Sequence, residues 1–259
     1  MRALVLAAGL GERLRPLTNT TPKPMLPVGG RPLIHYPLRM LRRAGVTEVA
    51  INVHHLAGRI QDGLGDGSRL GMTIHWAPEA TLLGTGGPLV GLRDYLGGDT
   101  FVIANSDTIL DLDLAAMIAF HRARGAVATI ALFNPPNLAY YSRLEIDATA
   151  RIRRIRLLMN RDPLKFDDYP TNLSEDDARG LSPFMYCGVI VAEPAVMDGM
   201  PSIPPWSLMD RIFGPMVAAG RPVFGYVHRG LFRTADDLKS YDSLCAEFGA
   251  LPPPQLADE

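Results

Sequence analysis

The stretch Leu4-Val5-Leu6-Ala7-Ala8-Gly9-Leu10-Gly11-Glu12-Arg13-Leu14-Arg15-Pro16-Leu17-Thr18, with Pro22-Lys23-Pro24 just beyond it, decides the fold. The apolar run from Ala3 to Ala8 predicts a buried parallel strand, because both of its faces are hydrophobic. It leads directly into Gly9-Leu10-Gly11, where missing side chains let backbone N–H groups approach a bulky anion. Arg13, Arg15 and Lys23 then set three positive charges close to that turn. A buried strand, a glycine turn and clustered cations together make a phosphate site. The alternative is an ordinary strand-to-helix turn with solvated charges, and glycine spacing alone does not separate the two, since short glycine motifs recur by chance.

The longer pattern is more specific. Gly9-x-Gly11-x-Arg13-Leu14-x-Pro16-Leu17-Thr18, followed by Pro22-Lys23-Pro24-Met25-Leu26-Pro27, closely resembles the N-terminal motif of the sugar-1-phosphate nucleotidyltransferases, or NDP-sugar pyrophosphorylases. The resemblance implies that Ala7, Ala8, Gly9 and Gly11 wrap a nucleoside triphosphate. It implies too that Arg13 contacts the phosphates in the transition state and that Lys23 contacts the pyrophosphate end or the α-phosphate. Physical chemistry agrees, because phosphoryl transfer depends on positioned cations more than on a covalent group.

The chain has 259 residues, enough for one domain with a small appendage. A catalytic domain is expected over 1–228, with an NTP half to about 110 and a sugar-phosphate half over about 111–228. Residues 229–259 are expected to add a helix and tail to the same domain. Apolar residues make up 47% and charged residues 20%, which argues against disorder. A net charge of −1 provides no global drive toward nucleic acid or an anionic membrane, so any anion affinity must be local. No apolar run approaches a membrane span, and Met1-Arg2 leads into a strand and not a signal peptide. Cys187 and Cys245 have no metal-ligand spacing, so both are expected reduced and partly buried. These features predict a soluble cytoplasmic protein with small-molecule partners, no nucleic-acid or membrane partner, and an oligomeric state left open between monomer and homo-oligomer.

Strands and helices alternate through residue 132, which predicts an α/β sheet with helices on both faces. With the resemblance, this becomes a Rossmann-like nucleotidyltransferase fold with a mostly parallel sheet. After Asn134 the rhythm breaks. Tyr141–Ile146 and Ile152–Leu157 read as a strand pair, 161–183 as a polar loop over the site, and Met185–Val191 as a core strand. A helix is expected over Leu208–Ala219, and 251–259, with three consecutive prolines, reads as a loose tail.

Further site residues follow from the same resemblance. Asp107 lies at the C-terminal end of a buried strand, where open α/β sheets place their ligands, and matches the family aspartate that binds Mg²⁺. Ser106 stands where relatives carry glycine. Leu82-Leu83-Gly84-Thr85-Gly86-Gly87, following Glu79, resembles the loop that lies against base and ribose, which marks Glu79, Gly84, Thr85 and Gly86 as substrate contacts. The second metal aspartate is less direct. One register of Gly230-Leu231-Phe232-Arg233-Thr234-Ala235-Asp236-Asp237 places Leu231 at the ligand position, and another, closer to a cytidylyltransferase variant, selects Asp236. Asp236 or Asp237 can equally cap the helix that follows. On the sugar side, Ser142 takes the place of a family glycine and Gly188 matches a residue that packs on the hexose. The family Glu-Lys-Pro has no clear copy, leaving Arg153, Arg156 or Lys165 to supply its charge. The resulting expectation is Mg²⁺-dependent condensation of an NTP with a sugar 1-phosphate, GTP with a mannose-like sugar first. Uridylyl or cytidylyl transfer, or a non-catalytic regulatory subunit, are the alternatives.

Overall fold

The computed structural model describes residues 1–160, 162, 164–170, 173–200, 204–249, 251 and 256. In chain order its elements begin with β1 (Arg2–Leu6), β2 (Pro27–Val28), β3 (Arg31–Pro32), α1 (His35–Arg43), β4 (Glu48–Val53), α2 (Ala57–Leu64) and β5 (Thr73–Pro78). Next come α3 (Pro88–Gly91), α4 (Arg93–Leu96), β6 (Phe101–Asn105), β7 (Thr108–Leu110), α5 (Leu114–Ala123), β8 (Ala128–Phe133), β9 (Arg143–Ile146) and β10 (Ile152–Leu158). The chain closes with β11 (Phe166–Tyr169), α6 (Glu175–Ala178), β12 (Ser182–Ala192), α7 (Gly214–Ala218), β13 (Val223–Val227), β14 (Phe232–Thr234) and α8 (Leu238–Phe248).

These elements form two compact units. The first comprises Met1–Leu82, Val102–Leu114 and Gly230–Glu259. Its strands run in the order β6-β1-β4-β5, with β1, β4 and β5 parallel. Ala3, Leu4 and Val5 are fully buried, as a strand apolar on both faces requires. The chain then makes three short 3-10 turns, Glu12–Leu14, Leu17–Asn19 and Lys23–Met25. No long helix follows the glycine turn, because Pro16, Pro22 and Pro24 each remove a donor and fix φ. Leu14, Leu26, Leu33, Tyr36, Ile109, Leu244 and Phe248 form the core beneath these turns. Tyr36 meets Phe248 edge-on at 6.1 Å, and the Tyr241 hydroxyl donates to the Pro27 carbonyl at 2.9 Å. Helix α8 is thereby bound to the N-terminal segment.

The second unit comprises Leu83–Phe101 and Ala115–Arg229. Leu83–Phe101 thus sits apart from the rest of residues 1–110, while Gly230–Glu259 joins them. Here β12 pairs antiparallel with β8 and β9, and β9, β10 and β11 are antiparallel in sequence, while β13 pairs parallel with β8. Parallel pairing, expected for most of the sheet, describes β1, β4 and β5 of the first unit and the β8–β13 pair of the second, whereas β9, β10, β11 and β12 pair antiparallel. The fold is mixed α/β, with helices flanking its sheets.

One local expectation is corrected and another refined. The polar segment 161–183 contains β11, α6 and the start of β12. The ring of Phe166 lies under the guanidinium groups of Arg143 and Arg156, at 4.6 and 4.7 Å, so stacking replaces the apolar pattern that would have revealed a strand. The helix expected over Leu208–Ala219 is present, with a π-helical stretch over Met209–Phe213 that runs into α7. Pro215 cannot donate an i→i−4 bond there, and the wider turn accommodates it. Most of the expected tail over 251–259 lies outside the described residues.

Both cysteines are free. Burial pushes the Cys187 thiol up to about 12, so at pH 8 it holds its proton and lacks the reactive thiolate. Cys245, near the surface of α8, is only partly covered. A thiol reagent at pH 8 should therefore modify one cysteine of the native protein and two of the denatured protein, with peptide mapping identifying Cys245 as the first. Labelling of native Cys187 at a comparable rate would contradict the burial.

Candidate active site

The glycine turn is braced from behind. The Ala7 N–H donates to Asn52 Oδ1 at 2.8 Å, and Asn52 Nδ2 donates to Glu79 Oε1 at 2.7 Å. Asn52 is 2% exposed and Glu79 9%. The carboxylate of Glu79, a residue expected to touch substrate, orients the amide that holds the end of β1. Asn52 was not singled out in the sequence, although a lone amide inside the apolar run Val49–Val53 is the kind of signal that could have found it.

Around Gly9 there is open space, and a Cβ would meet no atom within 4 Å. Gly11 differs, with φ of +63° and a hypothetical Cβ only 2.8 Å from Thr18 Cγ2. Thr18, 1% exposed, donates its hydroxyl to the Gly11 carbonyl at 2.9 Å, and a His55 ring nitrogen meets the Thr18 carbonyl at 2.8 Å. The threonine of the motif thus clamps the turn, and any residue larger than glycine at position 11 would be both strained and crowded.

Four charged side chains gather in this unit. The Lys23 ammonium contacts Asp107 Oδ2 closely, and Asp236 Oδ1 lies 4.0 Å from the same nitrogen. Asp236 Oδ1 is also 3.7 Å from Arg13 Nη2. The side chain of Lys23 is 14% exposed and that of Arg13 53%, so the lysine is fixed and the arginine is reachable from solvent. Pairing of β7 with β14, Thr108 against Thr234, brings Asp107 and Asp236 together from distant parts of the chain. Of the alternatives in the C-terminal motif, Leu231 packs against the core and Asp236 joins the charge cluster. Asp237 instead caps α8, accepting from Ser240 N at 2.8 Å in a capping box. The Ser240 N–H and hydroxyl hold Asp237 below the usual carboxylate range, with Arg13 adding a smaller pull.

Among the described residues, no three His, Cys, Asp or Glu side chains converge on one point. Two carboxylates that share one cation do suit a small hard ion, since Mg²⁺ is commonly held by one or two carboxylates plus phosphate and water.

The remaining predicted residues lie in the second unit. The loop at Gly84-Thr85-Gly86 is gripped by the segment 204–208. Gly86 N donates to the Trp206 carbonyl at 3.1 Å, and Leu208 N donates to the Thr85 hydroxyl at 3.0 Å. A Cβ on Gly86 would overlap the Trp206 ring at 2.2 Å, so this glycine is required by the tryptophan itself. Trp206 Nε1 is buried without a hydrogen-bond partner. Ser142 Oγ accepts from Leu158 N at 3.0 Å. Gly188, at φ of +98°, lies where the register between β12 and β8 shifts.

The family model for nucleotidyl transferases matches residues 2–156. The chain is 32% identical over 237 residues to a UTP–glucose-1-phosphate uridylyltransferase of Synechocystis, covering 86% of this chain and 57% of that protein. Over 117 residues it is 49% identical to an N-acetylmuramate α-1-phosphate uridylyltransferase of Neisseria meningitidis, covering 45% of this chain and 51% of that one. It is 31% identical over 232 residues to a mannose-1-phosphate guanylyltransferase of Mycobacterium tuberculosis, covering 89% and 60% respectively. The chain therefore spans 51–60% of the length of these relatives. HddC from Yersinia pseudotuberculosis shares the fold, with a TM-score of 0.73 at 20% identity over 95% of this chain and 99% of that one. Among the described residues, no helix is long and apolar enough to cross a membrane.

The cap on α8 yields a pH-dependent prediction. A folded-state pKa held below the unfolded value contributes stability that is fully present above the unfolded pKa and lost as pH falls through the folded one. Asp237→Ala should cost about 1 kcal/mol at pH 7, the usual scale for a lost N-cap. The gap from the parent protein should shrink below about pH 4, where the unfolded carboxyl titrates. Urea unfolding at pH 7 and pH 3.5 measures both, and a gap that widens in acid would contradict the capping role.

Proposed function

The chain belongs to the nucleotidyl transferase family, and from that premise we propose that it condenses a nucleoside triphosphate with a sugar 1-phosphate to give an NDP-sugar and pyrophosphate. The observation that carries this reading is the charge cluster beside the open glycine turn: Lys23 between Asp107 and Asp236, with Arg13 within reach. A phosphate oxygen of the sugar phosphate attacks the α-phosphorus in line, the bond from the α-phosphorus to the bridging oxygen breaks, and pyrophosphate leaves with that electron pair. No general base is required, because the sugar phosphate is ionised at neutral pH. Gly9 leaves room for the triphosphate at the end of β1. Arg13 stabilises the charge that grows on the departing pyrophosphate, and Lys23 holds the reacting phosphates. Asp107 and Asp236 would hold Mg²⁺, which when bound screens the repulsion between the two phosphate groups. In the second unit, Gly84, Thr85 and Gly86 are proposed to contact base and ribose, with the buried Trp206 Nε1 as a donor beside that loop. Ser142 and Gly188 are the proposed sugar contacts.

For the base, GTP with a mannose-like sugar is the reading brought from the sequence, supported by guanylyltransferase relatives that align with most of the chain. UTP is the second reading, supported by the two uridylyltransferases. A non-catalytic sugar-nucleotide-binding subunit has one specific observation in its favour. The three basic residues available to replace the missing Glu-Lys-Pro lysine are each engaged: Arg156 with Asp168 at 2.9 Å, Arg153 with Asp147 at 3.5 Å and Lys165 with Asp162 at 3.4 Å. Pyrophosphate release over the four NTPs and a panel of sugar 1-phosphates decides among these readings. The expected result is turnover with one pair, and nucleotide-sugar binding without turnover by any pair would favour the subunit.

Arg13→Ala should lower kcat by about two to three powers of ten, the scale of one preorganised contact, with a far smaller change in NTP binding. A variant altered only in KM would remove Arg13 from the transition state. Asp107→Asn and Asp236→Asn should each abolish Mg²⁺-dependent turnover with the fold retained by circular dichroism, while Asp237→Asn keeps it. Equal losses at 236 and 237 would overturn the assignment.

A further inference from the structure

Helix α1 is amphipathic in an unusual way. Tyr36, Leu38 and Leu41 face the core, and His35, Arg39, Arg42 and Arg43 fall on the opposite face at helical spacing. That basic face forms one wall of a cleft of about 790 Å³, completed by Arg31 of β3 and by Arg69 of the 3-10 turn Ser68–Leu70. Every charged or titratable residue that lines it is basic, in a chain whose net charge is −1. The residues of the active site do not line it.

The arrangement is built and not incidental. Gly71, at φ of +65°, lets the Arg42 guanidinium lie across its backbone, where a Cβ would come within 2.9 Å of Nε. Arg69 is steadied by the Gly63 carbonyl at 3.3 Å, and Arg31 stacks at 5.9 Å over the Tyr36 ring. Five guanidinium groups line this one concavity, and their summed field favours an anion placed within it. Guanidinium is also the cation whose planar fork matches phosphate oxygens two at a time. The volume falls in the range of small-molecule sites, about 300–1,000 Å³. A nucleic acid would call for a long basic stripe, whereas this charge is confined to a hollow.

We propose that this cleft is a second anion site, separate from the active site, for a small molecule carrying two or more linked phosphates. It goes beyond the proposed reaction and does not depend on it. The test is calorimetric titration of sodium tripolyphosphate, without divalent metal, into four forms of the full chain: wild type, Arg42→Gln/Arg69→Gln, Arg122→Gln/Arg179→Gln and Arg13→Ala. Arg122 and Arg179 are exposed basic residues elsewhere, so their variant matches the loss of charge. The expected result is a binding event in wild type that the Arg42/Arg69 variant weakens by at least about tenfold, as charge-assisted hydrogen bonds require. It should persist in the other two forms. Unchanged affinity in the Arg42/Arg69 variant would overturn the site. An equal loss in the Arg122/Arg179 control would reduce it to diffuse attraction, and disappearance in Arg13→Ala would assign the event to the active site. Arg69→Gln alone carries the same test should the double variant fail to fold.

Discussion

The ammonium of Lys23 is the constraint on which this structure depends. A lysine whose side chain is 14% exposed is tolerable only if its charge is met, and Asp107 and Asp236 meet it from positions remote in the sequence. That single cation therefore joins the N-terminal turns, the end of β6 and the C-terminal motif. Removing it would take the shared cation from both carboxylates and leave Asp236 with Arg13 at 3.7 Å. Lysine is rare in the chain, occurring at positions 23, 165 and 239 among 26 basic residues, so its use at this point is selective. A compact ammonium fits between two carboxylates where a branched guanidinium would push them apart.

Around that cation, rigidity comes from largely buried groups that brace the glycine turn. Asn52 ties Ala7 to Glu79, and Thr18 ties Gly11 to His55. Each link satisfies backbone polar groups that burial would otherwise leave costly. A turn whose N–H groups are aimed in advance does not reorganise when charge develops, and that is where electrostatic stabilisation gains its strength. The proline-bounded 3-10 turns serve the same end by denying the segment 12–25 the freedom of a loop.

The parts legible in the sequence were those in which local chemistry and global position agree. The apolar strand β1 and its glycine turn could be read because an all-apolar run has few other fates, and Asp107 because it ends another such run. Asp236 was reached only by choosing between registers, since nothing local distinguishes it from Asp237; the β7–β14 pairing and the capping box on α8 do so in three dimensions. Glu79 was noticed in the right neighbourhood, but its inward support of Asn52 depends on β4 and β5 lying side by side. Strand β11 was hidden because its stability rests on arginine–aromatic stacking, and the grip of Trp206 on Gly86 because it joins residues 120 positions apart.

The first unit is assembled from three separate stretches of chain, and its last stretch, Gly230–Glu259, supplies Asp236. During synthesis, Lys23 and Asp107 leave the ribosome well before their third partner exists. At about 5–20 residues per second, the interval between residues 107 and 236 lasts several seconds at least. Through that time the nascent protein contains Lys23 and Asp107 but lacks the second carboxylate of the cluster. The completed charge cluster thus arises as a late event of biogenesis, after most of the first unit has already been made.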